Sequence, residues 1–189
     1  MTFLKKIFMG VVFCALPVIS FANVPEWKII LEKSSIEFTA TQNNAPVTVG
    51  FKSFHANVEF DPDKLEESHV CLVIDMNSVN AEFEDLVLTL KSPEWFDVEK
   101  FPTATFESTK FTKTEKGDYH CEGNLTIRDR TLPITIDFEL KKYTSKDTVV
   151  EGLTTITRSD FGVGQGEWAN TDEIRDKVIT RFMLVGVKK

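Results

Sequence analysis

The stretch Tyr119–Leu140, YHCEGNLTIRDRTLPITIDFEL, decides the fold class. From Thr131 onward, Leu132, Ile134, Ile136, Phe138 and Leu140 fall on one side, while Thr131, Pro133, Thr135, Asp137 and Glu139 fall on the other. A period of two is that of a half-buried β-strand. Tyr119, Cys121, Gly123, Leu125 and Ile127 repeat the pattern upstream. Arg128-Asp129-Arg130 between the runs is short enough for a hairpin turn, in which Asp129 tolerates a left-handed conformation. A second hairpin turns at Thr114-Glu115-Lys116-Gly117, where Gly117 supplies positive φ. Thr103–Tyr143 therefore reads as an antiparallel meander.

Working outward, Ser34–Thr41 alternates through Ile36, Phe38 and Ala40. Pro46–Asp61 changes phase, from Val47, Val49 and Phe51 to Phe54, Ala56, Val58 and Phe60, as a β-bulge in one long strand would require. His69–Asn77 carries Val70, Leu72, Ile74 and Met76, and Thr148–Thr157 and Asp176–Val187 complete eight or nine strands. Many meandering strands with one apolar face predict an all-β fold, an antiparallel eight-stranded up-and-down barrel. One segment breaks the pattern. Phe83, Leu86, Val87 and Leu90 recur at helical spacing behind Asn80 as candidate cap, with Glu82, Glu84 and Asp85 in the first turn. This amphipathic helix leads into Trp95-Phe96, a short lid segment tying helix to barrel mouth before Pro102 ends the connection.

Before the first strand, Lys5-Lys6, the apolar run Ile7–Phe21 and Ser20-Phe21-Ala22 have the form of a cleaved secretory signal peptide. Residues 1–22 are thus expected to be removed and residues 23–189 to form one domain in the periplasm. Cys14 follows Phe13 where a lipidated cysteine would need a small residue, so no lipid anchor is expected. No integral membrane segment is expected in the mature chain. The formal charge of −7 becomes more negative once two lysines leave with the signal, a balance that repels phosphate backbones and argues against nucleic-acid binding.

Reactive residues are sparse. His55, His69 and His120 are dispersed without ligand spacing, so neither metal nor cofactor is expected. Gly162-Val163-Gly164-Gln165-Gly166 lacks the strand before it and the lysine after it that a phosphate loop needs. Nothing resembles a nucleophile elbow. Cys121 is in lumen phase and Cys71 is not, which predicts two free thiols.

LKSPEWFDVEKFPTATFES at Leu90–Ser108, GNLTIRDRTLPITIDFEL at Gly123–Leu140, ITRSDFGVGQGEW at Ile156–Trp168 and FDP at Phe60–Pro62 resemble the YceI family of secreted bacterial lipocalin-like proteins. The resemblance implies an extended barrel whose apolar lumen holds a polyisoprenoid chain such as a quinone tail, in a family not known for enzymes. Two departures stand out. Leu86-Val87-Leu88-Thr89-Leu90 replaces an Arg-Asp-x-His-Leu run of many relatives, which favours a more apolar ligand or a branch resembling domains found with cytochrome b561. Asp129 stands where relatives usually carry Gly.

The expected function is a periplasmic carrier of a long isoprenoid lipid, polyprenyl or quinone-type. Phe38, Phe54, Ala56, Phe60, Ile74, Phe106, Leu125, Ile127 and Phe138 are expected at the lumen wall, with Leu86, Leu90, Trp95, Phe96, Arg158 and Phe161 at the mouth. Arg158 has two readings: it meets a polar head group, or it is structural and pairs with Asp160 or caps loop carbonyls. Two rival classes stay open: a redox or quinone-modifying enzyme working in the lumen, for which Cys121 is the candidate residue, and a stress-response or interaction module without an obligatory ligand, for which a membrane cytochrome is the candidate partner. The oligomeric state is open too, a dimer included.

Overall fold

The structure, a computed structural model, describes residues 24–189. The expected signal peptide, Cys14 and the start at Asn23 lie outside the described residues. Eleven strands form one antiparallel sheet: β1 (Glu26–Ile29), β2 (Ser35–Gln42), β3 (Ala45–Phe51), β4 (Phe54–Glu59), β5 (His69–Asp75), β6 (Val79–Asn80), β7 (Thr103–Lys113), β8 (Tyr119–Ile127), β9 (Arg130–Tyr143), β10 (Asp147–Thr157) and β11 (Lys177–Lys188). Among the described residues one α-helix, α1 (Glu84–Lys91), interrupts them, along with short 3-10 turns.

The pairing reduces eleven segments to eight staves. β1 and β2 lie end to end along β11, through Trp27↔Lys188 and Phe38↔Thr180. β3 and β4 run back along them, and β6 and β5 along those. β7 to β11 follow as single long strands, each beside its predecessor. Contact of β1 with β11 closes the ring. The result is the eight-stranded antiparallel barrel that the alternation predicts, and closure removes the exposed edges that an open sheet presents.

The turns obey local chemistry. β2 and β3 join through Asn43 and Asn44, both left-handed at φ 48° and 64°, as a two-residue type I′ hairpin demands. Gly117 takes φ 96° in the β7–β8 turn, as expected. In the β8–β9 turn the left-handed residue is Arg128, φ 57°, and not Asp129. The loop spans only Arg128 and Asp129, one residue shorter than the expected turn, which moves the strained position forward.

The phase slip at Phe51–Phe54 is real but is not a bulge. The stave breaks at Lys52-Ser53, where Lys52 N donates to the Ser78 carbonyl and Ser53 N to Ser78 Oγ. True register shifts sit at Ser108/Lys110 in β7 and opposite Val149/Val150 in β9. Each switches the inward set, from Phe106 to Phe111 and from Phe138 to Tyr143, by one extra residue. Asn80 does not cap the helix. It belongs to β6, opposite Gly50, and the residue before α1 is Phe83, without a side-chain cap bond. Phe83 is 65% exposed rather than packed on the apolar face. Leu90 is buried, and Leu86 and Val87 pack against the core beneath.

Candidate functional site: an apolar lumen beneath an aromatic lid

Inward residues of the staves enclose two chambers that meet at Ile36, Ile74, Leu125 and Thr180. The lower chamber encloses ≈ 160 Å³ and is walled by Ala56, Phe60, Phe106, Phe138, Val150 and Phe182 among others. Its floor is a packed aromatic group. Phe60 meets Phe111, Tyr119 and Phe138 edge-on at 5.4, 5.8 and 5.7 Å between centroids, and Tyr119 stacks on Phe138 at 5.1 Å. Such pairs gain from the ring quadrupoles beyond their buried area. Trp27, 1% exposed, donates Nε1–H to the Phe60 carbonyl at 3.0 Å and seals the floor against Tyr143.

Two glycines make this chamber wide. A Cβ on Gly123 would stand 2.5 Å from Cε2 of Phe106, and one on Gly152 would stand 2.7 Å from Cε1 of Phe182. Each ring occupies the space that a side chain on the neighbouring strand would take. Large aromatic surface thus faces the lumen without filling it.

The upper chamber encloses ≈ 110 Å³ beneath the lid. Phe38, Phe51, Ile127 and Phe161 form its wall, with Leu90 of α1 and Trp95 and Phe96 of the following loop above. Phe96 meets Phe38 edge-on at 5.9 Å. The lid is held from outside by the β8–β9 turn. Arg128 donates to the carbonyls of Pro93, at 2.7 Å, and Trp95, lies 3.8 Å from Asp97 and stacks its guanidinium on Phe101. Arg130 holds the second mouth loop through the Ser159 and Asp160 carbonyls at 3.1 and 2.8 Å. The Glu94 carbonyl joins the two loops by accepting from the N–H groups of Gly164 and Gln165.

Arg158 is 3% exposed and caps loop carbonyls. Nη1 donates to Val163 and Gly164, and Nη2 to Trp168, Asn170 and Ile174, all within 2.9–3.3 Å. Of the two structural alternatives, the carbonyl caps are formed and the pairing with Asp160 is not. Burial pulls the Arg158 pKa down, and the charge of Asp176 opposes that shift. Gly164, at φ 77°, is required here, because a Cβ would collide with Arg158 Nη1.

Most expected wall residues gather as the alternation implies. Phe38, Ala56, Phe60, Ile74, Leu90, Trp95, Phe96, Phe106, Leu125, Ile127, Phe138, Arg158 and Phe161 line one chamber or the other. Two do not. Phe54, half-buried beside the break in its stave, lines neither chamber, and Leu86 packs behind Leu90 in the core. Sequence reading missed Trp27, Phe111 and Phe182: the first lies in a strand too short to alternate, the second beyond a bulge, the third in β11, whose two faces are both apolar. It also missed Arg128, for which periodicity gives no signal.

Cys121 is buried at the lower chamber, and its thiol is pushed up to about 12, first by burial and then by Glu122. It is a thiol at neutral pH, not a nucleophilic thiolate. Cys71 is half-buried, does not line the chambers, and both cysteines are free. Among the described residues, no helix is long and apolar enough to cross a membrane.

Comparison with known proteins supplies the last observation. The YceI-like domain matches residues 27–185. A UPF0312 protein of Vibrio cholerae is 27% identical over 169 residues, 85% of this chain and 89% of that protein. The crystal structure of BcnA from Burkholderia cenocepacia superposes with a TM-score of 0.79 at 30% identity, covering 84% of this chain and 99% of that one. A Saccharophagus degradans domain, described as polyisoprenoid binding and implicated in plant cell wall breakdown, shares the fold at TM-score 0.68 and 14% identity, over 88% of this chain and 99% of its own.

Proposed function

The chain belongs to the YceI-like domain family, and from that premise we propose that it is a non-enzymatic carrier of a long isoprenoid lipid, polyprenyl or quinone-type, working in the periplasm after export. The observation that carries the reading is the lumen itself, two contiguous chambers with almost wholly apolar walls. Each buried CH₂ of a guest contributes roughly 0.8 kcal/mol. A few isoprene units therefore outweigh the several kcal/mol lost on association. The wall offers no activated nucleophile, since the Cys121 thiol is buried and protonated.

The test is native mass spectrometry of protein taken from the periplasm, with identification of what co-purifies, alongside Ala56→Trp. Ala56 is 8% exposed and faces the lower chamber. An indole there takes the guest's place, so co-purifying lipid should vanish while lipid-free protein melts nearly as the wild type does. A wild type that never carries lipid, with a variant that melts far lower, would show a filled core and overturn the carrier reading.

A further inference from the structure

The ladder between β9 and β10 stops partway. Its paired register runs from Thr148↔Tyr143 to Leu153↔Asp137, although β9 begins at Arg130 and β10 continues to Thr157. The ladders on either side do not stop: β8 pairs with β9 as far as Ile127↔Arg130, and β10 pairs with β11 as far as Thr157↔Lys177. Pro133 accounts for the break. Ile127↔Arg130 closes a two-residue hairpin and is a hydrogen-bonded pair, so by alternation Asn124↔Pro133 is a non-hydrogen-bonded one and the Pro133 backbone turns toward β10. Proline has no N–H to give there. The same parity turns the Thr135 backbone toward β10, and its carbonyl accepts from the Thr154 hydroxyl at 2.8 Å.

Two side-chain staples bound the unpaired stretch. Thr154 on Thr135 is the lower one. Arg130 is the upper one, since its Nη1 donates to the Ser159 and Asp160 carbonyls just past the end of β10. Between them Thr155–Thr157 face β9 across a slot roughly 10 Å long, at about 3.3 Å per residue. Ile134 of the lower chamber and Ile156 of the upper chamber stand behind it. Outside it, Leu153, 43% exposed, and the exposed Pro133 form an apolar threshold.

We infer that this slot is a lateral portal, through which an extended apolar chain exchanges with the lumen while the lid stays shut. The inference rests on the lumen reading above and adds a route to it. Parting two fully paired strands breaks ladder bonds one after another. Raising the lid breaks the Arg128 bonds and unpacks Phe96 from Phe38. Parting β9 from β10 beyond Leu153 breaks only the two staples, and the paired part of the seam serves as the hinge.

The experiment uses purified, delipidated protein carrying Cys71→Ser, with the buried Cys121 left in place. The probe is diphenylhexatriene, a rod-shaped hydrocarbon that fluoresces only out of water. Thr135→Cys with Thr155→Cys puts one thiol on each side of the slot, on the outer face, at positions that continuation of the register would set opposite each other. A bis-methanethiosulfonate reagent staples the two thiols and a reductant frees them. Lys110→Cys with Glu122→Cys, an exposed pair in the β7–β8 seam, is the control. Stapling the slot should slow entry and exit of the probe alike by roughly tenfold or more, leave its equilibrium affinity unchanged and reverse on reduction, while the control staple changes nothing. Unchanged rates, or equal slowing by both staples, would overturn the portal and leave the lumen reading intact. A probe that never enters even unstapled protein would overturn both. Should the cysteine variants not fold, hydrogen exchange of the wild type decides. The amides of Thr155 and Thr157, turned toward the slot, should exchange roughly tenfold or more faster than that of Glu151, which the same parity turns toward the paired part of β9. Equal protection of the three would overturn the portal.

Discussion

Phe106 lies so close over Gly123 that a methyl group on the glycine would stand 2.5 Å from the ring edge. Gly123→Ala must therefore push the ring into the lower chamber or the strands apart. Overpacking of this kind costs roughly 1–3 kcal/mol. Lipid capacity should fall along with stability, and Phe106→Leu in the same chain should restore stability. Thermal melts and quantitative lipid extraction of the single and double variants check this; additive losses would show that the two residues are not coupled.

Arg128 latches the lid from outside the barrel. Arg128→Asn keeps a residue that tolerates left-handed backbone and removes the donors to Pro93 and Trp95. Bonds from a charged donor are each worth about 1.5–3 kcal/mol. Hydrogen exchange should rise at the amides of Trp95, Phe96 and Val98 and stay unchanged in β8, and bound lipid should leave faster. Uniform acceleration across the barrel would instead indicate global loosening.

Arg158 is a structural keystone of the second mouth loop as well as a wall of the upper chamber. Arg158→Met leaves five carbonyls without their donor. Losses of several kcal/mol are expected when a buried network loses its charged centre. The variant should accumulate poorly or melt far below the wild type. A melting temperature within a few degrees of the wild type would contradict this role.

The two thiols should behave differently. In native protein lacking residues 1–22, Ellman's reagent should modify Cys71 and spare Cys121, and denaturant should expose both. Cys121 and Tyr143 both have pKa values pushed up to about 12 in the folded state, from 9.0 and 10.0, chiefly by burial. Above pH 9 the unfolded chain releases protons that the native chain retains, so stability is full below that pH and falls as pH rises toward 12. Cys121→Ala should flatten the lower part of that decline in urea titrations.

The barrel was legible because alternation is a local property that the pleat imposes on each strand separately. Leu132, Ile134, Ile136 and Phe138 carry it without interruption, and the lumen wall followed from counting by twos. Phase arguments failed where the backbone gains a residue or breaks. Phe111 lies past the β7 register shift and Phe54 beside the stave break, so both were misplaced or missed. Hydrogen bonds between distant loops leave no periodic trace. The caps of Arg158, six to sixteen residues downstream for all but Val163, and the latch of Arg128, more than thirty residues upstream, could be seen only once the chain had closed.

The three broken staves have a mechanical meaning. Their gaps, at Ile30–Ser34, Lys52–Ser53 and Met76–Ser78, fall side by side across neighbouring staves, stitched by bonds such as Lys52 N to the Ser78 carbonyl. A barrel with an unbroken ladder has a fixed girth, because widening it means parting strands. Here the gaps form a stripe of interrupted ladder down one side of the shell, and Ile36 and Ile74, half of the waist between the chambers, sit next to it. Any widening of the waist is therefore expected along this stripe first, with amide exchange faster at Lys52 and Ser53 than at the paired positions of β7 to β11; uniform exchange around the barrel would contradict it.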